Sequence, residues 1–289
     1  MNIAACVILY HPNTTEIISN IETYLPFVKK LYVFDNSQKK SNQLVFKNLK
    51  KTEYYWDGEN KGISIRLNDA CKKAIEENFD YLLTMDQDSC FDTITINHYF
   101  QCIVNFVYHS KVAVYGLEYN RKEIYSKTPI TTEVDHLITS ASVLNLKLFN
   151  VIGGFDNNLF IDGVDIDYCF SAICKGFKNI KFCNISFSHS LGTRTKRGSI
   201  FTLYLFKKYV SLHSSLRIYY MFRNMLYIKN KYEKKIPEII RKFEKNQRYH
   251  ISKNIRYSNE IVKVLKYKQK AFQDFKNNKM GEIDPLFIF

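Results

Sequence analysis

The stretch Tyr81-Leu82-Leu83-Thr84-Met85-Asp86-Gln87-Asp88 decides the fold of this chain. An apolar run that ends in two carboxylates one residue apart is typical of a buried strand that carries acids to the edge of a sheet. Open α/β sheets bind their ligands at the carboxyl ends of their strands. Alternate residues of an extended segment point the same way, so Asp86 and Asp88 can face one ligand. The stretch therefore predicts an α/β sheet with an acidic site at one edge.

Two acids at such an edge indicate a divalent cation held against phosphate. A Mg²⁺ or Mn²⁺ ion bound by one or two carboxylates completes its shell with water and substrate phosphates. A tripeptide of this kind also occurs by chance, and Asp165-Ile166-Asp167 has the same spacing. For both pairs the structural alternative is that the aspartates only stabilise a turn or cap a helix. The surrounding sequence has to distinguish this role from a ligand site.

Strand-like and helix-like segments alternate around this stretch. Strands are predicted at 3–10, 30–34, 53–56, 81–85 and 112–117, and helices at 14–25, 63–78 and 93–109. This order predicts a mostly parallel sheet with helices on both faces, whose polar turns gather at one edge. The polar residues in those turns are His11, Asp35, Asp57, Asn60, Asp86 and Asp88.

The second half of the chain has a different pattern. A β-prone segment at 136–144 precedes a helix at 163–176 and a strand at 178–187, and beyond about residue 200 the pattern predicts helices only. We therefore expect an α/β domain over residues 1–200 and a helical region over residues 201–289. The length of 289 residues suits one large domain with such an appendage.

The net charge of +14 is concentrated in the last hundred residues. Ser190–Phe289 contains 23 Lys and Arg against 7 Asp and Glu, whereas the preceding 189 residues carry a net charge of −2. A basic surface indicates an acidic partner, which is nucleic acid, anionic lipid or a phosphorylated substrate. Solvated lysines on helix faces are the structural alternative.

The cysteines and the apolar runs predict a cytoplasmic protein. None of the seven Cys forms a Cys-x-x-Cys pair and several lie in apolar runs, which favours reduced, buried thiols. The N-terminal segment lacks the basic region of a secretory signal, and no uncharged apolar stretch is long enough to span a bilayer. Attachment to the inner face of the cell membrane remains an expectation from the basic charge.

Three further segments contain candidate functional residues. Asp162, Asp165 and Asp167 precede an apolar helical stretch, where they can cap the helix, act as a general base, or do both. His189 follows a strand and becomes a plausible third ligand beside a metal held by carboxylates. Arg223 lies four residues after Tyr219 on a predicted helix, where it either binds pyrophosphate oxygens or packs on the aromatic ring.

Eight short motifs in this order resemble the inverting nucleotide-sugar glycosyltransferases of family two, which have the GT-A fold. They are most similar to the bacterial rhamnosyltransferase branch of that family, particularly in Asp86-Gln87-Asp88-Ser89 and in 160–165. The matching stretches are 7–12, 33–37, 60–63, 85–89, 152–156, 159–165, 189–192 and 217–224. The resemblance covers roughly residues 3–230.

The resemblance implies a role for each matched position on the donor side. It places Asp35 and Asp57 at the nucleobase, with Tyr10 and His11 lining the same pocket. The other implied donor-binding residues are Asn60, Asp86 at the ribose or the sugar, and Arg223 near the leaving diphosphate.

The resemblance also implies the metal ligands, the base and the reaction. Asp88 and His189 would hold Mg²⁺ or Mn²⁺ on the diphosphate, and Asp165 would deprotonate the acceptor hydroxyl. Asp162 or Asp167 would replace Asp165 as the base if the loop register differs. The implied activity is transfer of a sugar, with dTDP-rhamnose preferred over UDP-sugars as donor, to a cell-surface polysaccharide or lipid-linked saccharide.

Three departures from the family pattern concern the donor side. Arg66 follows Ser64 and Ile65 where the family has small residues, Asp57 replaces a common Asn, and 140–142 reads Ser-Ala-Ser where a Gly is usual.

The basic region, including the stretch 201–209, is expected to contact an anionic membrane. A nucleic-acid-binding protein and a nucleotidyltransferase are the alternatives, but the sequence has no helix-turn-helix, zinc-finger or RNP motif and no Gly-rich loop after the first strand.

Overall fold

The alternating segments form an α/β sheet flanked by helices, as predicted. The sheet is mixed, as the resemblance to the GT-A fold implies, and not mostly parallel, as the alternation alone predicted. The structure is a computed structural model that describes residues 1–39, 45, 46, 48–120, 128–189, 194–199, 202 and 205–287. The first nine strands in the chain are β1 Ile3–Leu9, β2 Lys30–Asp35, β3 Thr52–Trp56, β4 Tyr81–Asp86, β5 Ser89–Cys90, β6 Val112–Tyr119, β7 Thr131–Glu133, β8 Ser142–Asn145 and β9 Lys178–His189. They form one sheet in the order β3-β2-β1-β4-β8-β6-β9-β5, with β7 paired to β9.

The parallel half of the sheet sets the positions of the polar turns. Strands β3, β2, β1 and β4 are parallel neighbours, so their carboxyl ends lie at the same edge. Ile8 pairs with Asp86, Leu9 with Asp35, and Asp35 with Trp56, which precedes Asp57. The predicted turns therefore meet at one edge. Beyond β4 the sheet is mixed, because β8 is antiparallel to both β4 and β6.

Eight α-helices accompany the strands among the described residues. They are α1 Thr14–Glu22, α2 Gly62–Glu76, α3 Thr93–Val104, α4 Leu146–Ile152, α5 Val164–Cys174, α6 Ser215–Tyr232, α7 Pro237–Tyr257 and α8 Ile261–Lys276. The start of α3 follows from its sequence, because the Asp92 side chain accepts a hydrogen bond from the Thr95 amide. None of the described helices combines the length and the apolarity that crossing a bilayer requires.

The largest differences from the predicted elements are two boundaries and one element type. Helix α3 ends at Val104 rather than at residue 109, and the segment 136–144 forms a strand only from Ser142 onward. The prediction of helices only beyond residue 200 fails because β11 Lys207–Val210 pairs antiparallel with β10 Thr195–Gly198. Both strands are short and rich in lysine and arginine, and their two-residue periodicity is too brief to stand out from a helical pattern.

Helix α4 ends in a glycine turn that is fixed by a distant asparagine. Gly153 and Gly154 have φ angles of 102° and 71°, a region that disfavours other residues. The Asn68 side chain accepts from the Phe155 amide at 2.8 Å and donates to the Phe155 carbonyl at 2.8 Å. The motif at 152–156 is therefore a turn that is bound to α2.

The chain divides into two compact units. Unit 1 contains Met1–Asp156 and Asp165–Ser190, and unit 2 contains Asn157–Val164 and Leu191–Phe289. The segment 157–164 belongs to unit 2 because the Asn224 amide donates to the carbonyls of Ile161 and Asp162. Within unit 2, the Arg223 guanidinium is buried and donates to the Tyr219 hydroxyl at 2.9 Å and the Gly281 carbonyl at 2.7 Å.

A buried arginine binds together the carboxyl ends of β2 and β3. Arg66 on α2 has a side chain that is 5% exposed. Its Nε donates to Asn36 Oδ1 at 2.7 Å, and its Nη2 donates to Asp57 Oδ1 at 2.6 Å and to the Glu59 carbonyl at 3.1 Å. Two of the three departures from the family pattern, Arg66 and Asp57, are thus partners in one ion pair.

The ion pair explains the acidity of Asp57. Burial alone would raise the pKa of Asp57, but hydrogen bonds from Arg66, Lys61 and the Glu59 amide outweigh it and hold the pKa well below its ordinary value. A carboxyl with a lowered folded-state pKa contributes stability above its unfolded pKa, and this contribution is lost as the pH falls.

Replacing the buried partner is therefore expected to destabilise unit 1. Arg66→Met should lower the free energy of unfolding by about 2 kcal/mol, because it leaves Asn36 and Asp57 without their donor. In a double-mutant cycle measured by urea unfolding, the interaction energy between Arg66→Met and Asp57→Asn should be about 1 kcal/mol. The difference between Arg66→Met and the wild type should shrink below pH ~4, where Asp57 protonates in the unfolded chain.

Lys61→Met is the matched control. Lys61 also binds Asp57, at 2.6 Å, but its side chain is 37% exposed. Its loss should cost less than about 0.5 kcal/mol. Additive effects of Arg66→Met and Asp57→Asn would contradict the assignment of the pair.

Candidate active site

The two carboxylates of the β4 edge meet a histidine from β9. Asp86 ends β4, Asp88 follows it by two residues, and His189 ends β9. One potential ligand atom from each of these three residues lies within 4.8 Å of the others, and among the described residues they are the one such group of His, Cys, Asp or Glu. The sequence predicted this combination from the tripeptide 86–88 and a lone histidine at position 189.

The histidine is held from several sides. Its amide donates to Asn120 Oδ1 at 3.0 Å, and its carbonyl accepts from Asn120 Nδ2 at 2.6 Å. The ring contacts Tyr119 edge-on, with centroids 5.9 Å apart, and its Nδ1 lies 2.7 Å from Ser89 Oγ. Oxygen and imidazole ligands that are fixed before binding suit a divalent cation.

The turn after β1 is bound to the neighbouring strand ends. Gln87, the central residue of the Asp-Gln-Asp motif, accepts from the Tyr10 amide at 2.9 Å and donates to the Tyr10 carbonyl at 3.3 Å. The His11 amide donates to Ser37 Oγ at 2.8 Å. The side chains of Tyr10 and His11 are exposed and lie together, with ring centroids 4.2 Å apart. The structure thus brings the predicted Tyr10 and His11 to the same edge as Asp86.

Asp35 and Asp57 lie at the ends of β2 and β3 but have internal partners. Asp35 is fully buried and accepts from the Tyr54 hydroxyl at 2.6 Å and the Ser37 amide at 2.9 Å. Asp57 binds Arg66 and Lys61, as described above. A nucleobase that contacts either carboxylate has to share it with these donors. Asn60 has a local role, because its Oδ1 accepts from the Gly62 amide at the start of α2.

The carboxylate of Asp165 lies in the first turn of α5. Its Oδ2 accepts from the Thr139 amide at 3.1 Å, and its Oδ1 is 2.9 Å from the Ile166 amide. Burial raises the pKa of Asp165, and the nearby His136 and the amide hydrogen bonds offset only part of this effect. A raised pKa brings a carboxylate closer to the range that suits a general base.

The segment 139–142 joins Asp165 to the end of β4. Thr139 binds the Asp165 carboxylate, and the hydroxyl of the next residue, Ser140, accepts from the Asp86 amide at 3.3 Å. Ala141 has a φ angle of 57°, the left-handed conformation that explains why the family usually has Gly in this turn. The third departure from the family pattern thus places an alanine in a left-handed conformation that favours glycine.

The two alternative bases have other surroundings. Asp167 is buried within α5. Asp162 belongs to unit 2, has a φ angle of 63°, and its Oδ1 accepts from Arg217 Nη2 at 3.1 Å. Asp162 therefore has a cationic partner in Arg217, whereas the described hydrogen bonds of Asp165 come from backbone amides.

Arg223 is placed differently from its predicted role. Its guanidinium is fully buried within unit 2 and donates to Tyr219, Asn224 and backbone carbonyls. Contact with a diphosphate would require these bonds to break. The alternative of aromatic packing describes Arg223 better, since its guanidinium lies 5.0 Å from the Tyr219 ring centre.

Several residues that build the site were not predicted. Arg66, Tyr54, Ser89, Asn120 and Thr139 act through hydrogen bonds between segments that are far apart in the sequence. Arg66 had a signal as a departure from the family pattern, and Ser89 as the last residue of the Asp-Gln-Asp-Ser motif. The partners of both residues could not be read from spacing. The last residues of the motif at 189–192 lie outside the described residues.

The chain is similar in sequence to a curated rhamnosyltransferase. It is 22% identical over 245 residues to the dTDP-rhamnosyl transferase RfbF of Shigella flexneri, a match that covers 77% of this chain and 78% of that protein. No protein-family model matches the chain.

Solved glycosyltransferase structures share its fold. S. aureus TarS 1–349 in complex with UDP-GlcNAc matches with a TM-score of 0.59 and 15% identity, over 95% of this chain and 80% of that one. GalNAc-T7 with UDP, GalNAc and Mn²⁺ matches with a TM-score of 0.56 and 8% identity, over 65% of this chain and 44% of that one. The match thus spans less than half of the GalNAc-T7 chain.

Sequence, fold and site chemistry agree in this comparison. The strand ends carry the acids that the motifs implied, and the same fold occurs in a glycosyltransferase that was solved with UDP-GlcNAc. The chain therefore has the GT-A fold of these glycosyltransferases, and its sequence resembles that of a transferase enzyme.

Proposed function

We propose that this enzyme transfers a sugar, with rhamnose from dTDP-rhamnose as the first choice, to a cell-surface polysaccharide or lipid-linked saccharide with inversion. The observation that carries this proposal is the group of Asp86, Asp88 and His189 at the carboxyl edge of the parallel strands. The choice of rhamnose rests on the Asp-Gln-Asp-Ser motif and on the named activity of the Shigella relative. A UDP-sugar is the second candidate, because the TarS structure contains UDP-GlcNAc.

The donor set of the site fits a divalent cation. Two carboxylates and one imidazole match Mn²⁺ well and Mg²⁺ less well, since Mg²⁺ strongly prefers oxygen ligands. In this proposal Asp88 and His189 hold the ion, and Asp86 lies beside it at the ribose or the sugar. A cation there would neutralise charge on the departing nucleoside diphosphate.

Asp165 is the proposed general base. It would accept the proton of the acceptor hydroxyl while that oxygen forms a bond to the anomeric carbon and the bond from this carbon to the diphosphate oxygen breaks. The support is its raised pKa and its link to Asp86 through Thr139 and Ser140. Asp162 and Asp167 are the alternatives to be tested beside it.

A basic and apolar hairpin in unit 2 supports contact with an anionic membrane. Strand β11 begins with Lys207 and Lys208, next to Leu205 and Phe206, which are 77% and 75% exposed. The sequence from 168 to 232 contains no acidic residue. Apolar side chains flanked by lysines are the pattern of an element that lies in the headgroup region. Three residues of the predicted stretch, 201, 203 and 204, lie outside the described residues.

Donor and metal can be tested together. The melting temperature should rise with Mn²⁺ plus dTDP-rhamnose, rise less with Mn²⁺ plus a UDP-sugar, and change little without the metal. Asp88→Ala should abolish the metal-dependent rise and transfer. Stabilisation by duplex DNA without any response to nucleotide sugars would instead favour the nucleic-acid alternative.

The base is tested by removing one charge at a time. Asp165→Asn should lower kcat by about 100-fold or more, whereas donor affinity stays within about threefold. Since burial raises the pKa of Asp165, its ionised form is disfavoured in the folded state, so the substitution should not lower the melting temperature. In the wild type, kcat should rise as the pH increases through this raised pKa. Loss of transfer in Asp162→Asn or Asp167→Asn, with Asp165→Asn active, would reassign the base.

Membrane contact is tested with vesicles that contain phosphatidylglycerol. Leu205→Ser with Phe206→Ser should reduce cosedimentation by at least about tenfold, because each side chain gains on the order of 1.5 kcal/mol or more when buried. Lys207→Gln with Lys208→Gln should weaken binding mainly at low salt, by about 1 kcal/mol per lysine. The matched control is Ile94→Ser with Val107→Ser, which removes equally exposed side chains from unit 1. Equal losses in both pairs would contradict a role specific to the hairpin.

A further inference from the structure

A buried serine lies between the two proposed metal ligands. Ser89 follows Asp88 directly, is fully buried, and is the first residue of β5, where it pairs with His189 on β9. Its Oγ is 2.7 Å from His189 Nδ1 and 3.4 Å from Asp88 Oδ1. Both described polar contacts of the imidazole ring are at Nδ1, since Asp88 Oδ1 also lies 3.5 Å from this atom.

The direction of these hydrogen bonds follows from the chemistry of the groups. An ionised carboxylate only accepts hydrogen bonds, so the Ser89 hydroxyl donates towards Asp88. A hydroxyl has one proton to donate, so its remaining lone pairs accept from His189 Nδ1–H. The neutral imidazole then carries its proton on Nδ1 and its free lone pair on Nε2.

We propose that Ser89 is a positioning residue of the metal centre, which holds His189 in the Nδ1–H tautomer and leaves Nε2 for the cation. The inference rests on the proposed metal-dependent function. Histidines that bind metals generally donate their second ring N–H to a hydrogen-bond acceptor, which fixes both tautomer and orientation. Here that acceptor is a hydroxyl that connects the histidine to the neighbouring ligand, Asp88.

The backbone of His189 is fixed separately, so Ser89 acts on the ring. Asn120 binds both the amide and the carbonyl of His189, and these two bonds do not involve the ring nitrogens. Loss of the Ser89 hydroxyl therefore leaves the strand pairing and the Asn120 bonds in place. The expected change is confined to the tautomer and rotation of the imidazole.

The first experiment measures the tautomer without any metal. In protein labelled with [15N]histidine, with the His189 signals assigned by His189→Gln, the ring nitrogens should show a protonated Nδ1 and an unprotonated Nε2 at a pH where the ring is neutral. Ser89→Ala should shift the ring towards the Nε2–H form, and Ser89→Thr, which keeps the hydroxyl, should restore the wild-type pattern. An Nε2–H tautomer in the wild type, or an unchanged pattern in Ser89→Ala, would overturn the proposal.

The second experiment measures Mn²⁺ affinity by electron paramagnetic resonance, with UDP or dTDP present. Ser89→Ala should weaken binding by about 10- to 100-fold, and Ser89→Thr should retain it. Ser188→Ala is the matched control, because Ser188 is the exposed neighbour of His189 on the same strand and should have no effect. Wild-type protein that fails to bind Mn²⁺ would refute the proposed metal function, whereas equal affinity in wild type and Ser89→Ala would refute the role of Ser89 alone.

Discussion

In the sheet, Ile8 of β1 pairs with Asp86 of β4, and Leu9 pairs with Asp35 of β2. The pairing register of β1 therefore places the carboxyl ends of both neighbouring strands side by side. Side chains alternate along a strand with a period of two, so a slip of one residue would turn each acid to the opposite face of the sheet. Both faces of β1 and β4 are buried, as Cys6 and Val7 show, so such a slip would bring side chains of the wrong size into the closely packed core on each face. The acidic edge is thus a consequence of core packing.

The acids at this edge differ in how their charge is compensated. Asp35 accepts a hydrogen bond from Tyr54, and Asp57 accepts one from Arg66, so both carboxylates have partners within the protein. Asp86 and Asp88 lie together with His189 in a group whose donor atoms could hold a cation. Aspartates at the same edge of the sheet therefore differ in their chemistry because different residues contact their carboxylates.

The sequence predicted well what depends on local pattern. Strands β1 to β4, the acids that follow them and the pairing of Asp88 with His189 at one site all came from apolar runs, turn residues and motif order. The sequence did not predict side-chain partners from distant segments, such as those of Arg66 and Ser89, because such partners depend on how helices and loops pack. The buried setting of Arg223 was missed for the same reason, since its partners at 279 and 281 come from the end of the chain.

Two adjacent residues, Thr139 and Ser140, contact different parts of the candidate site. The Thr139 amide binds the Asp165 carboxylate, and the Ser140 hydroxyl binds the Asp86 amide. A shift of this short segment on donor binding would change the hydrogen bonding of Asp165, and thereby its proton affinity. Linkage is reciprocal, so protonation of Asp165 would then alter donor affinity by the same factor. Through the Thr139 amide and the Ser140 hydroxyl, proton uptake by Asp165 and donor binding near Asp86 would then depend on each other thermodynamically.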